Sequence, residues 1–119
     1  MDKRPITIFC DLDATLVRHS GDLISQVKEP LELLEGTLDK LKIWERNGYK
    51  IIITTGRKES MRRRTIEQLE EAGIFYDQLI MGIGGGKRVL INDRKPDSNE
   101  DTAIAINITR HEGIKNINI

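Results

Sequence analysis

Two acids spaced i, i+2, Asp11 and Asp13, with a hydroxyl at Thr15, close a short apolar run that begins at Ile6. Ile6-Thr7-Ile8-Phe9-Cys10 is β-branched and aromatic enough to read as a buried strand, so both carboxylates fall at its carboxyl end. In an α/β sheet that end is where ligands bind. Buried charge there is costly unless something offsets it. A divalent cation is the simplest offset, and Asp-x-Asp followed by Thr offers the oxygen donors that a hard ion such as Mg²⁺ prefers. The plain alternative is an Asp-rich turn capping a helix, and so short a pattern does not choose between them.

Other stretches end in the same manner. Tyr49 to Thr55 contains three consecutive isoleucines, the pattern of a strand covered on both faces, and runs into Thr54-Thr55-Gly56-Arg57. Gln78 to Met81 reads as a short strand and leads to Gly82-Ile83-Gly84-Gly85-Gly86-Lys87. This is not a Walker loop, because its first glycine would fall at Met81 and Arg88 stands at the Ser/Thr position. It is read as a flexible turn that delivers Lys87. Val89-Leu90-Ile91 is a fourth expected strand, ending in Asn92-Asp93-Arg94-Lys95-Pro96-Asp97. Parallel strands share one carboxyl edge, which would gather Asp11, Asp13, Thr55, Lys87 and Asp93 around one point.

The remaining elements would position these ends. Leu34, Leu38, Leu41 and Trp44 recur at helical spacing, with Gly36 near the start and Gly48 past the end. Lys58 to Ala72 is a second expected helix with Met61, Thr65, Leu69 and Ala72 on one stripe and Gly73 as its stop. The i, i+4 pairs Glu59/Arg63 and Arg63/Glu67 make Arg62-Arg63-Arg64 an ion-paired, solvated face rather than a nucleic-acid patch. Leu16 to Leu34 reads as a polar connection, and its His19 as a solvated loop residue or a substrate contact. Thr102 to Ile108 is a last expected strand. Beyond it, Ile114, Ile117 and Ile119 could pack on the body or on a neighbouring subunit. Strands alternating with helices predict an α/β fold with a mainly parallel sheet and right-handed crossovers.

A chain of 119 residues is one domain, with room for a single core. Nineteen basic against nineteen acidic residues argue against nucleic-acid or membrane partners. No apolar run approaches the ~20 residues of a membrane span, and no signal-peptide pattern opens the sequence. The single Cys10 cannot form an internal disulfide and reads as a buried structural thiol. A cytoplasmic protein is expected.

Asp11-Leu12-Asp13-Ala14-Thr15, then Thr55-Gly56-Arg57, Lys87 and Asp93-x-x-x-Asp97, resemble the four ordered motifs of the haloacid dehalogenase (HAD) superfamily. The resemblance spans Ile6 to about Ile108 and implies a Rossmann-like core. It further implies that Asp11 is the nucleophile forming an aspartyl-phosphate, and that Asp13 protonates the leaving oxygen and then activates water. Mg²⁺ would be held by Asp11, the Asp13 backbone carbonyl and Asp93. Thr55, Gly56, Arg57 and Lys87 would bind the substrate, with Arg88 competing for the place of Lys87. Asp13 favours phosphatase or phosphotransferase over dehalogenase chemistry, because dehalogenation needs no leaving-group acid there. The family usually has Gly where this chain has Ala14; if that position needs φ > 0, Ala costs about 1 kcal/mol.

Only about twenty residues separate Thr15 from Gly36 and about thirty separate Arg57 from Lys87, so no cap domain fits. The expectation is one capless domain over residues 1–119 with an open site, completed by the Leu16–Leu34 flap, by Arg57 and Lys58, or by a neighbouring subunit in a homo-oligomer. The run Thr54–Gly82 and Leu90-Ile-Asn-Asp-Arg-Lys-Pro resemble small capless members associated with capsule or other surface-polysaccharide biosynthesis. That implies a sugar phosphate or another small phosphomonoester as substrate. The alternatives are a non-catalytic HAD-like binding module and a phosphatase of macromolecular phosphates.

Overall fold

The computed structural model describes residues 3–119. The first apolar run forms β1 (Thr7–Asp11), the triple-isoleucine run β2 (Lys50–Thr54), and the third β3 (Gln78–Ile80). They pair in parallel in the order β1-β2-β3, with Asp11 opposite Thr54 and Thr54 opposite Ile80. Only β2 has a strand on both sides, and everything in it after Lys50 is buried, as its isoleucines predict. The carboxyl ends of all three strands therefore share one edge.

Helix α1 is Leu23–Lys28, α2 is Thr37–Arg46, and α3 is Arg62–Ala72, preceded by a 3₁₀ turn at Glu59–Met61. Leu41 and Trp44 are the buried apolar side chains of α2; Leu69 has that role in α3, and Gly73 ends it at φ 78°. Ile8 of β1, Ile51 and Ile53 of β2, Leu12, Leu16 and these helix residues form one core. Helix α1 lies inside the stretch read only as a polar connection. It is six residues long and buries none of them, so it has no apolar stripe to read. Its one local mark is the cap, where the Asp22 carboxylate accepts from the Ser25 amide at 2.8 Å. The arginine run is ion-paired with different partners than expected. Arg62 binds Glu59, and Arg64 binds Glu67 and Glu71.

The tail packs on the body. The His111 amide donates to the Ala14 carbonyl at 2.9 Å, Ile114 is buried, and Ile117 and Ile119 lie against the core. Lys115 passes directly over the start of α2, where Gly36 has φ +84°. A Cβ on Gly36 would sit 2.6 Å from the Lys115 Cβ and 2.9 Å from its Cα. Gly36→Ala is therefore expected to cost about 2 kcal/mol or more in urea unfolding, from left-handed strain plus overlap. Gly21→Ala measures the strain alone, since Gly21 has φ +92° and open space around it. Equal losses in the two variants would show that the tail does not rest on Gly36.

The expected strands Val89–Ile91 and Thr102–Ile108 do not form. A strand needs a neighbour for its backbone hydrogen bonds, and here no strand lies alongside. Both stretches belong to an irregular arm over residues 88–108, with Val89 75%, Ile91 90% and Ile104 73% exposed. The arm's two limbs touch where the Asn92 side-chain amide donates to the Thr102 carbonyl (3.3 Å) and hydroxyl (3.1 Å). The molecule measures 51 × 28 × 26 Å, and its radius of gyration of 15.2 Å exceeds the ~13.5 Å of a compact chain this long. No helix among the described residues is long and apolar enough to cross a membrane.

Candidate active site

At the end of β1 the chain turns on the Leu12 carbonyl, which accepts from the amides of Thr15, Leu16 and Val17 at 3.2, 2.9 and 3.2 Å. Inside that turn Ala14 has φ +69°, so the condition for strain is met, at roughly 1 kcal/mol. The turn leaves the Asp11 side chain 38% exposed. Thr15 Oγ1 lies 3.4 Å from Asp11 Oδ2, and Arg88 Nη1 donates to Asp11 Oδ1 at 3.0 Å. Cys10, one residue earlier, faces the core. Burial first, and the Asp11 charge second, push its thiol up to about 12. A neutral thiol is unreactive, so iodoacetamide at pH 8 is expected to label Cys10 only after unfolding. Rapid labelling of the native protein would contradict this burial.

Asp13 is held differently. Arg57 Nε donates to Asp13 Oδ2 at 2.9 Å and Nη2 to Oδ1 at 2.8 Å, a two-pronged pair with Arg57 almost wholly buried. The third guanidinium nitrogen, Nη1, reaches Thr65 Oγ1 at 3.3 Å and Gln68 Oε1 at 2.9 Å. Gln68 Nε2 then donates to the carbonyls of Gln26 (2.6 Å) and Glu29 (2.7 Å), which tie the α1 region to the same network. Arg57, expected to face substrate, is thus an internal brace. A guanidinium inside a protein needs partners for all its donors, and α3 supplies the ones Asp13 cannot. The sequence signal for Gln68 was its place beside the Thr65–Leu69 stripe, where a polar side chain must find a buried partner.

Thr55 follows β2 and is buried, with its hydroxyl accepting the Arg57 amide at 3.1 Å. Gly56 is exposed, and a Cβ there would come within 3.1 Å of the Ile83 carbonyl oxygen. Lys87 is exposed at the base of the arm. Arg88, the competing candidate, is the cation that reaches Asp11. Asp93 is out on the arm, where its carboxylate faces Lys95 at 3.8 Å and its carbonyl accepts from the Thr102 hydroxyl. Asp97 is also an exposed arm residue, with φ +61°. His19 is not merely solvated: its amide donates to His111 Nε2 and its Nδ1 accepts from the Gly21 amide, both at 3.0 Å.

The expected metal set is therefore not assembled by one chain. Among the described residues no group of three or more His, Cys, Asp or Glu is placed to hold an ion. Both Asp13 oxygens are engaged by Arg57, one Asp11 oxygen by Arg88, and the third acid is displaced with the arm. An octahedral, oxygen-seeking ion such as Mg²⁺ does not fit this donor set as it stands.

The strand-end geometry agrees with what comparison of the sequence finds: a model of haloacid dehalogenase-like hydrolases matches residues 8–86. The chain belongs to this family of hydrolases. Its parallel sheet flanked by helices is the Rossmann-like core of the HAD-like hydrolases. Among solved structures, a chain of the Pnkp1/Rnl/Hen1 complex is 28% identical with a TM-score of 0.58. The match covers 74% of this chain and 32% of that one, so this HAD-like hydrolase spans about a third of that relative. A Vibrio cholerae protein shares the fold at 18% identity and a TM-score of 0.55, over 73% of this chain and 79% of its own. No curated protein matches.

Proposed function

We propose that this HAD-like hydrolase is a phosphatase of a small phosphomonoester, foremost a sugar phosphate, working through an aspartyl-phosphate on Asp11. The observation that carries this reading is the pairing of an open Asp11 with a braced Asp13 at the carboxyl edge of the sheet. Asp11 Oδ2 attacks phosphorus in line; the new O–P bond forms as the ester O–P bond breaks. Asp13 in its protonated form gives the proton to the leaving oxygen, and as the resulting carboxylate takes one from the water that hydrolyses the aspartyl-phosphate. A carboxylate offers about four lone-pair sites, so the two that Arg57 occupies orient Asp13 while others remain for the proton. Arg88, at the mouth of the site, offsets the charge of the incoming phosphate. Thr55 contributes from the floor, and Lys87 from the base of the arm.

Mg²⁺ is the cofactor this reading implies, and Asp11, the Asp13 carbonyl and Asp93 would hold it only once Asp93 is brought beside Asp11. When bound, it would screen the repulsion between Asp11 and the anionic substrate. Support for a sugar phosphate comes from the resemblance of Thr54–Gly82 and Leu90–Pro96 to the polysaccharide-associated members.

The test is phosphate release from a panel of sugar phosphates and nucleotides, with and without Mg²⁺, using Asp11→Asn as the blank. Release led by sugar phosphates and dependent on Mg²⁺ is expected. Silence across the panel would favour the binding module, a reading supported by the strained Ala14 and the acid set left incomplete in one chain.

A further inference from the structure

The arm and the sheet have matching unfinished features. Strand β1 is an edge of the sheet, and Phe9 within it and Ile6 just before it are exposed, Phe9 by 53%. An open apolar edge is a template for another strand. The arm's first limb, Val89-Leu90-Ile91-Asn92-Asp93, has the same length as β1 and a similar order, apolar residues and then an acid. Its side chains are exposed, and it carries the acid that the site lacks.

The limb cannot complete its own sheet from where it stands. A strand parallel to β1 must enter at the amino end, near Thr7, for its own acid to finish beside Asp11. Arg88 is held at the opposite end, 3.0 Å from Asp11. Val89 therefore leaves from the carboxyl edge, about 15 Å of strand away from that entry point. A second copy resolves the mismatch. When a twofold axis sets two β1 edges antiparallel, the carboxyl end of one copy lies beside the amino end of the other. Each limb then departs where its partner's fourth strand must begin.

We propose that this chain forms a twofold, arm-exchanged dimer, in which residues 89–93 of each copy pair in parallel with β1 of the other and bring Asp93 of the partner subunit beside Asp11. In that register Val89 pairs with Thr7, Ile91 with Phe9 and Asp93 with Asp11. The exchange hydrogen-bonds both open edges, buries Phe9, Val89 and Ile91, and supplies the acid that a hard cation would need beside Asp11. The glycine-rich segment from Gly82 to Lys87 supplies the backbone freedom for the departure. The role of Asp93 rests on the phosphatase reading, whereas the dimer does not.

The deciding experiment needs no turnover. Light scattering of the full chain at micromolar concentration should give twice 13.6 kDa. The Phe9→Cys, Ile91→Cys double variant, oxidised with diamide, should run as a disulfide-linked dimer on a non-reducing gel; native Cys10 is buried and silent. Thr7→Cys with Val89→Cys repeats the test should the first pair fail to fold. A monomeric wild type would overturn the proposal. So would a cross-link within one chain, which would mean that the arm folds onto its own sheet, or a folded dimer that forms no cross-link. A protein that forms the cross-linked dimer and releases no phosphate would sink the phosphatase reading and leave the exchange standing.

Discussion

Asp11→Asn is expected to lower phosphate release by at least about a thousandfold, because the amide oxygen cannot serve as the nucleophile that forms the covalent intermediate. The fold should survive. Asp11 and Arg88 are both more than a third exposed, and surface ion pairs of this kind contribute only about 0–1 kcal/mol. The urea midpoint of the variant should therefore stay close to that of the wild type while turnover disappears. The two measurements belong together, because a loss of activity accompanied by unfolding would say nothing about chemistry. A folded Asp11→Asn variant that keeps its turnover would remove the aspartyl-phosphate from the mechanism.

Arg57→Met should behave in the opposite sense. Arg57 and Asp13 form a buried, two-pronged pair, and breaking one partner of such a pair typically costs about 3–5 kcal/mol because the other charge is left uncompensated. For a chain of this size that corresponds to a fall in Tm on the order of 10 °C. Thr65 and Gln68 lose a partner as well, and Gln68 is the side chain that anchors the α1 region through the Gln26 and Glu29 carbonyls. Turnover should fall too, since Asp13 loses its orientation. Arg57→Lys keeps the charge but not the fork, so its stability should lie between the two. Differential scanning calorimetry reads the effect directly. A substrate-binding Arg57 would predict a raised KM and unchanged Tm, and that result would refute the bracing role.

These two substitutions separate what is local from what is not. That Asp11 and Asp13 stand at the end of a strand could be read from Ile6–Thr15 alone, because apolar runs bounded by polar residues have few other solutions; that this strand is a half-buried edge, with Thr7 and Phe9 exposed, could not. That Arg57 is a brace could not. A guanidinium faces solvent, substrate or an internal carboxylate according to what α3 places around it, and Thr65 and Gln68 are remote from it until the chain folds.

By itself, then, the sequence determined β1, β2, β3, α2 and α3, because hydrophobic period, helix stops and β-branched runs act over a few residues and agree with one another. It also determined the parallel α/β class and the placing of Asp11 and Asp13 at its carboxyl edge. Tertiary structure decided the rest: the burial of Arg57, the choice of Arg88 over Lys87 at Asp11, and the docking of the tail over Gly36. It decided the arm as well. Val89–Ile91 and Thr102–Ile108 have the composition of strands, but a strand exists only when another backbone lies beside it to take its hydrogen bonds. Within one chain nothing does, and composition cannot supply the neighbour.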